Sequence, residues 1–250
     1  DMLTLLVPLG GRGQKFEERG YTFPKPLVEI QGRPMIDCVV ESLKLGLEHR
    51  FVFVCREQHL RRYALGDVLN LVAPGCRVVP MRGETAGALC TVLLAIEWID
   101  PEGELIVANG DQLLDFALDD FVQRARQRGV DGSLVTFTST HPKWSYALAD
   151  DEGQVRMVAE KRPISRHATV GVYYFRRGRD FLAAATRMLL KGSRTAGEFF
   201  LSPVYNEMIL EGLKVDIYRV RNSQVISLAT PEDLEKHLAT LPSCEEDPDW

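Results

Sequence analysis

Three glycines, a lysine held between prolines and an aspartate after a buried run are residues of this sequence whose types and spacing can do chemistry. Gly10, Gly11 and Gly13 follow the apolar stretch Leu3-Thr4-Leu5-Leu6-Val7-Pro8-Leu9, and Lys25 stands in Phe23-Pro24-Lys25-Pro26-Leu27. Glycine lets a backbone turn sharply and bring its N–H groups close to a ligand. Successive N–H groups in such a turn form a concave anion site, for which phosphate is the natural guest. The flanking prolines restrict the backbone that carries Lys25. A glycine turn with a positioned lysine is what a nucleoside triphosphate needs. The stretch is neither a P-loop nor a Gly-x-Gly-x-x-Gly fingerprint, and an ordinary strand-to-loop turn would carry the same glycines.

The aspartate is Asp111, in Asn109-Gly110-Asp111-Gln112, directly after the apolar run 104–108. In open α/β sheets ligands bind just beyond the carboxyl ends of strands. A lone carboxylate there can hold Mg²⁺, which takes few protein ligands and completes its shell with phosphate oxygens and water. Taken alone, an aspartate capping its own turn is the plainer reading.

These residues need elements to position them. The apolar runs 3–9, 51–55, 76–80 and 104–108 have strand length, and helical spacing lies between them at 34–45, 57–71 and 84–99. In the last of these, Ala88, Leu89, Val92, Leu93 and Ile96 are predicted to face inward. Such alternation predicts a mostly parallel sheet with helices on both faces, a Rossmann-like α/β fold. The second half changes character. A helix at 118–128 and a strand at 131–138 precede short runs at 146–149, 154–159 and 169–175, which predict a small added antiparallel sheet walling the main one. Helices at 181–190 and 199–210 and a strand at 214–220 follow. Thr230-Pro231-Glu232-Asp233 is a helix start, with a threonine cap, a first-turn proline and acids at the positive dipole end.

Composition bounds the function. The 250 residues are 45% hydrophobic and 26% charged, with a net charge of −5. This fits one domain, 1–241, followed by a flexible acidic tail, 242–250. The negative balance argues against a nucleic-acid partner. No apolar run is long enough to span a membrane. No secretory leader opens the chain, so a cytoplasmic location is expected. Five widely spaced cysteines without a Cys-x-x-Cys read as small buried hydrophobes, and five scattered histidines predict no zinc site.

Gly-Gly-x-Gly, Pro-Lys-Pro-Leu and then Gly32-Arg33-Pro34-Met35-Ile36 together resemble the N-terminal signature of the sugar nucleotidylyltransferases, the nucleoside-diphosphate-sugar pyrophosphorylases. The resemblance runs through most of the chain and leaves a capsule-type cytidylyltransferase or a guanylyltransferase branch open. It implies a GT-A-like nucleotidyltransferase fold, Mg²⁺ dependence, a nucleoside triphosphate donor and a phosphorylated small-molecule acceptor such as a sugar 1-phosphate. Pyrophosphate would be released, and the product would serve nucleotide-sugar and polysaccharide biosynthesis.

The resemblance also assigns roles. Lys25, Lys15 and Asp111 would carry the chemistry, with Asp111 as the metal ligand. Leu9, Gly10, Gly11, Arg12, Gly13, Gln14, Glu84, Thr85, Gly87, Asn109 and Gly110 would bind the nucleotide, Gly87 by letting the base approach the backbone. Tyr146, Glu160, Lys161 and Gly171 would bind the acceptor. Three departures stand out. Gln14-Lys15 replaces a small hydroxyl residue and arginine. Ser227 stands where a second metal-binding aspartate is expected. Tyr146-Ala147 replaces a common Tyr-Gly, narrowing the acceptor pocket. The first two favour a rival reading, a non-catalytic nucleotide-binding module. A GT-A glycosyltransferase consuming a nucleotide sugar is the other rival. A homo-oligomer stays open.

Overall fold

The computed structural model describes residues 2–243, so residues 244–250 of the expected acidic tail, with Cys244, lie outside the described residues. In the first half strands and helices alternate. The order is β1 (Leu3–Leu9), α1 (Gln14–Glu18), the short hairpin β2 (Glu29–Ile30) and β3 (Arg33–Pro34), α2 (Met35–Leu43), β4 (His49–Arg56), α3 (Glu57–Tyr63), α4 (Leu65–Val72), β5 (Arg77–Met81), α5 (Ala88–Leu93) and β6 (Leu105–Ala108). The second half adds β7 (Gln112–Leu114), α6 (Leu118–Arg128), β8 (Gly132–Thr138), β9 (Ser145–Ala149), β10 (Val155–Glu160) and β11 (His167–Phe175). It closes with α7 (Gly178–Lys191), α8 (Val204–Leu210), β12 (Val215–Arg219), β13 (Val225–Ser227) and α9 (Pro231–Thr240).

β1 reads as a continuous apolar run because both its faces and both its edges are covered. It pairs in parallel with β4 on one side and β6 on the other. The main sheet runs β10-β9-β11-β6-β1-β4-β5, with β8 on β11 and β12 on β8. Its parallel core, β6-β1-β4-β5, is the one the alternating pattern predicts. The antiparallel strands of the second half are hydrogen-bonded into this same sheet, and the separate small sheets are β7 with β13 and β2 with β3. β11 last pairs with β6 at Val172–Ala108. Its remaining length, 167–171, stands beyond the carboxyl end of β6, where β9 joins it at Ala168–Tyr146 and β10 pairs with β9. That extension is the expected wall.

Side chains alternate across the sheet into two cores. Leu5, Val7, Ile36, Phe53, Phe121 and Tyr174 fill one face. Leu6, Val54, Leu89, Phe181, Met188 and Tyr205 fill the other. Thr230 caps α9, its Oγ1 accepting from the Asp233 N–H at 3.1 Å. Cys55 and Cys76 are buried and Cys38 and Cys90 half-buried, none of the four in a disulfide. Burial pushes the Cys55 thiol up to about 12, which keeps it inert. Among the described residues no helix is long and apolar enough to cross a membrane.

Three predicted helices differ. The one over 57–71 breaks at Ala64, which takes φ 53° between α3 and α4. The one over 84–99 is helical only in α5, followed by a 3-10 turn at Ile96–Trp98, and Ile96 is 54% exposed instead of inward. The one over 199–210 begins only at Val204. The last two share a cause. Phe199 donates its N–H to the Ala86 carbonyl at 2.8 Å, and Leu89 donates its N–H to the Phe199 carbonyl at 3.1 Å. The two segments zip together and use backbone groups that helix would have needed.

Candidate active site

The carboxyl ends of β1, β4 and β6 open into a cavity of about 430 Å³. Parallel strands deliver their C-terminal loops to one edge, so the loops after each strand converge there. The loop after β1 contributes Gly10, Gly11 and Arg12, the end of β4 Arg56, and the loop after β6 Asn109, Gly110 and Asp111. Lys25 reaches in from the Pro-Lys-Pro segment, which forms a 3-10 turn. Its Nζ lies 3.1 Å from Asp111 Oδ2, 3.5 Å from the Ala229 carbonyl and 5.8 Å from the centre of the Phe16 ring. The lysine and the aspartate, 86 positions apart, thus meet as an ion pair at the cavity, 21% and 30% exposed.

The loop carrying Asp111 is fixed by its backbone. The Asn109 N–H and the Gln112 side-chain amide both donate to the Gly171 carbonyl at 2.8 Å. The Leu228 N–H donates to the Asp111 carbonyl at 2.7 Å. A Cβ on Gly171 would collide with the Asn109 side chain, so the absence of one lets β11 approach this loop with Asn109 in its present place. Gly171 therefore acts on the cavity through Asn109.

Glu84, Thr85 and Gly87 also line the cavity, as does Leu9. Gly87 takes φ 123°, and a Cβ there would lie 2.5 Å from the Phe199 carbonyl oxygen. A close approach that demands glycine here is made by the backbone of the 199 segment. Thr85 donates its hydroxyl to the Gly87 carbonyl at 3.1 Å and lies 2.6 Å from Thr91 Oγ1.

Several expected residues are not brought to the cavity wall. Gly13 is the N-cap of α1, and of Gly10, Gly11 and Gly13 it alone takes a left-handed φ, 68°. Gln14 donates to Glu18 at 3.0 Å, and Lys15 is exposed on α1. Arg12, in contrast, lines the cavity and has no ion-pair partner among the described residues. Of the four expected acceptor residues, Tyr146, Glu160 and Gly171 stand on the wall strands and Lys161 is in the turn just after β10. Tyr146 is fully buried and donates its hydroxyl to the His141 carbonyl at 2.6 Å. Glu160 ends β10 and accepts from the Ser202 hydroxyl at 2.8 Å. Burial pushes its carboxyl above the ordinary value, opposed by the Ser202 bond and by Lys161. Lys161, at φ 55°, lies over the Phe200 ring at 4.9 Å.

Arg56 and Glu198 line the cavity but escape a reading of the sequence. Arg56 is only 14% exposed in its side chain and pairs with Glu84 at 2.9 Å, and its Nε donates to the Gly11 carbonyl at 3.3 Å. It follows a buried run just as Asp111 does, so the same strand-end rule marks it. Glu198 has no such signal, because its place depends on the long-range pairing of 199 with 86.

Three carboxylates line the cavity, Glu84, Asp111 and Glu198; Glu84 pairs with Arg56, and Asp111, just beyond the end of β6, is the one expected to hold Mg²⁺. Among the described residues no three His, Cys, Asp or Glu side chains gather as a metal site. One carboxylate fits an ion that draws most of its ligands from substrate phosphate and water. Ser227 donates to Asp233 Oδ2 at 3.0 Å and accepts from the Ala229 N–H at 3.3 Å. Its hydroxyl is thereby occupied.

A model of the nucleotidyl transferase family matches residues 6–207. Over 183 residues the chain is 28% identical to the mannose-1-phosphate guanylyltransferase catalytic subunit beta of Danio rerio, covering 68% of this chain and 49% of that protein. It is 23% identical over 206 residues to the bifunctional protein GlmU of Thermotoga maritima, covering 80% of this chain and 43% of that protein. The chain spans about half the length of the curated relatives it matches. Among solved structures, the nucleoside-diphosphate-sugar pyrophosphorylase of Vibrio cholerae RC9 superposes with a TM-score of 0.84 at 26% identity, covering 94% of this chain and 99% of that one. The inositol-1-phosphate CTP transferase of T. maritima, at 17% identity and a TM-score of 0.70, covers 97% and 98% and shares the fold.

Proposed function

The chain belongs to the nucleotidyl transferase family, and on that premise we propose that it joins a nucleoside triphosphate to a phosphorylated small-molecule acceptor and releases pyrophosphate. The observation that carries this reading is the meeting of Lys25 and Asp111 at the strand-end cavity, 3.1 Å apart. A lysine and a carboxylate facing one cavity suit a polyphosphate. The lysine takes phosphate charge directly, and the carboxylate would hold Mg²⁺, which supplies further charge neutralisation on the phosphates.

In this reading a phosphate oxygen of the acceptor attacks the α-phosphorus in line, and pyrophosphate leaves. The acceptor oxygen is already ionised near neutral pH, so no general base is required. Catalysis is positioning and charge stabilisation. Lys25 and Arg12 bear on the phosphates, and Arg12 takes the part first expected of Lys15. Glu160 and Lys161 on the wall hold the acceptor, the lysine at its phosphate and the glutamate at a hydroxyl or amine.

Sugar 1-phosphates are the acceptor class, and GTP with mannose 1-phosphate is the first pair to assay, since several relatives between 25% and 28% identical are mannose-1-phosphate guanylyltransferases. The test is product analysis over a matrix of five triphosphates and a set of sugar 1-phosphates with Mg²⁺. Pyrophosphate with a nucleotide-linked sugar is the expected product. Nucleoside diphosphate released from a nucleotide sugar would overturn the reading in favour of glycosyl transfer.

A further inference from the structure

At the opposite end of β6 from Asp111 lies a second cavity, of about 320 Å³. Its walls are the residues before β6, the C-terminal part of α6 and the turn from β11 into α7. Three arginines face it, Arg126, Arg176 and Arg177, together with Glu102, Glu104 and Tyr174.

The two acids are already engaged. Glu104, 18% exposed in its side chain, takes Arg126 through both Nε and a terminal nitrogen, and accepts the Tyr174 hydroxyl at 2.6 Å. Glu102 pairs with Arg179 at 2.9 Å. Arg176 and Arg177 have no ion-pair partner among the described residues. The backbone on either side of Arg177 is tied down: the Arg176 N–H donates to the Asp131 carbonyl at 2.9 Å, and the Gly178 N–H donates to the Gly103 carbonyl at 2.9 Å. Arg176 and Arg177, consecutive in the chain, both line this cavity, where Glu104 is bonded by Arg126 and also feels the Arg176 charge, and Glu102 is paired with Arg179. Guanidinium forks match phosphate oxygens two at a time, and they lose little order in doing so.

We propose that this cavity is a second binding site, separate from the strand-end cavity, for a small phosphate-bearing anion held by Arg176 and Arg177. The ligand carries either a free phosphate group or a phosphate ester. The volume suits a compact anion rather than a whole dinucleotide. The assignment does not depend on the reaction proposed above, because it uses none of the same residues.

Calorimetric titration at low ionic strength tests it, with inorganic pyrophosphate and glycerol phosphate as separate probes, on wild type, Lys25→Ala and the double variant Arg176→Gln/Arg177→Gln. Both arginines lie at the surface edge of the fold, and an unchanged Tm of the double variant confirms that it is intact. The expected result is a class of sites for at least one probe that survives Lys25→Ala and is weakened at least tenfold in the double variant. If the double variant titrates as wild type does, or if Lys25→Ala abolishes all binding, the second site does not exist. Loss of the proposed activity, by contrast, would leave this titration unaffected.

Discussion

Lys25 and Asp111 face each other at 3.1 Å, and the two charges they bring to the cavity are of opposite use to a triphosphate. On the proposed reading, Lys25→Ala removes a cation for the phosphates, and Asp111→Ala removes the carboxylate that would hold Mg²⁺. Each variant is expected to lower turnover by about 10²–10³, by analogy with single preorganised charge-stabilising contacts. The pair is partly exposed, so its loss costs little stability, and steady-state pyrophosphate release with a parallel unfolding curve separates the two effects. Glu160 gives a prediction of another kind. Its folded pKa is raised, so its favourable contribution is complete below the ordinary value of 4.5 and is lost as pH rises through the folded value. Glu160→Gln should match wild type in Tm near pH 4 and exceed it at pH 7, while binding the acceptor more weakly. Equal Tm at both pH values would show that burial of this carboxylate carries no cost. Lys25 and Asp111 were legible in the sequence because each carries a local mark, prolines on both sides or a buried strand just before. Arg56 carries the same strand-end mark as Asp111. Lys15 is adjacent in sequence to the glycine loop, yet the one helical turn that begins after Gly13 places it on the exposed side.

At the scale of elements, the strands of the parallel core and α6 follow from periodicity alone, because burial on both faces or on one stripe leaves a direct pattern. The segment 84–87 does not. Its apolar spacing continues into α5, but its backbone pairs with Phe199, more than a hundred positions away. No local pattern encodes that partner, so both the 84–99 and the 199–210 helices are over-long when read from sequence. The same pairing yields a test. Gly87→Ala places a Cβ 2.5 Å from the Phe199 carbonyl oxygen on a backbone at φ 123°. The strain is of order 1–3 kcal/mol, which lowers Tm by roughly 2–4 °C per kcal/mol for a chain of this size. Because the 84–87 loop lines the cavity, triphosphate affinity should fall with it. An unchanged Tm would mean that the two segments separate freely.

For the whole molecule, the sheet sorts the work by position. The parallel core ends in the glycine loop, Arg56 and Asp111, and the antiparallel extension raises β9, β10 and β11 beside them. On the proposed reading the nucleotide residues belong to the first half of the chain and the acceptor residues to the second, and Gly171 against Asn109 is one of the places where the halves touch. The α/β class and the wall were legible from the change of pattern at mid-chain. Their fusion into one nine-stranded sheet was not, because strand order is a matter of long-range pairing. The central claim is that the strand-end cavity takes a nucleoside triphosphate with Asp111 as its metal ligand. Thermal unfolding with Mg²⁺ and each of CTP, GTP, UTP, dTTP and ATP, on wild type and Asp111→Ala, tests it without knowledge of the acceptor. A ligand at a hundred times its Kd adds about 2.7 kcal/mol, a shift of several degrees at roughly 2–4 °C per kcal/mol. The account predicts such a shift of wild type with at least one triphosphate and its loss in Asp111→Ala. No shift with any triphosphate, or equal shifts in both proteins, would contradict it.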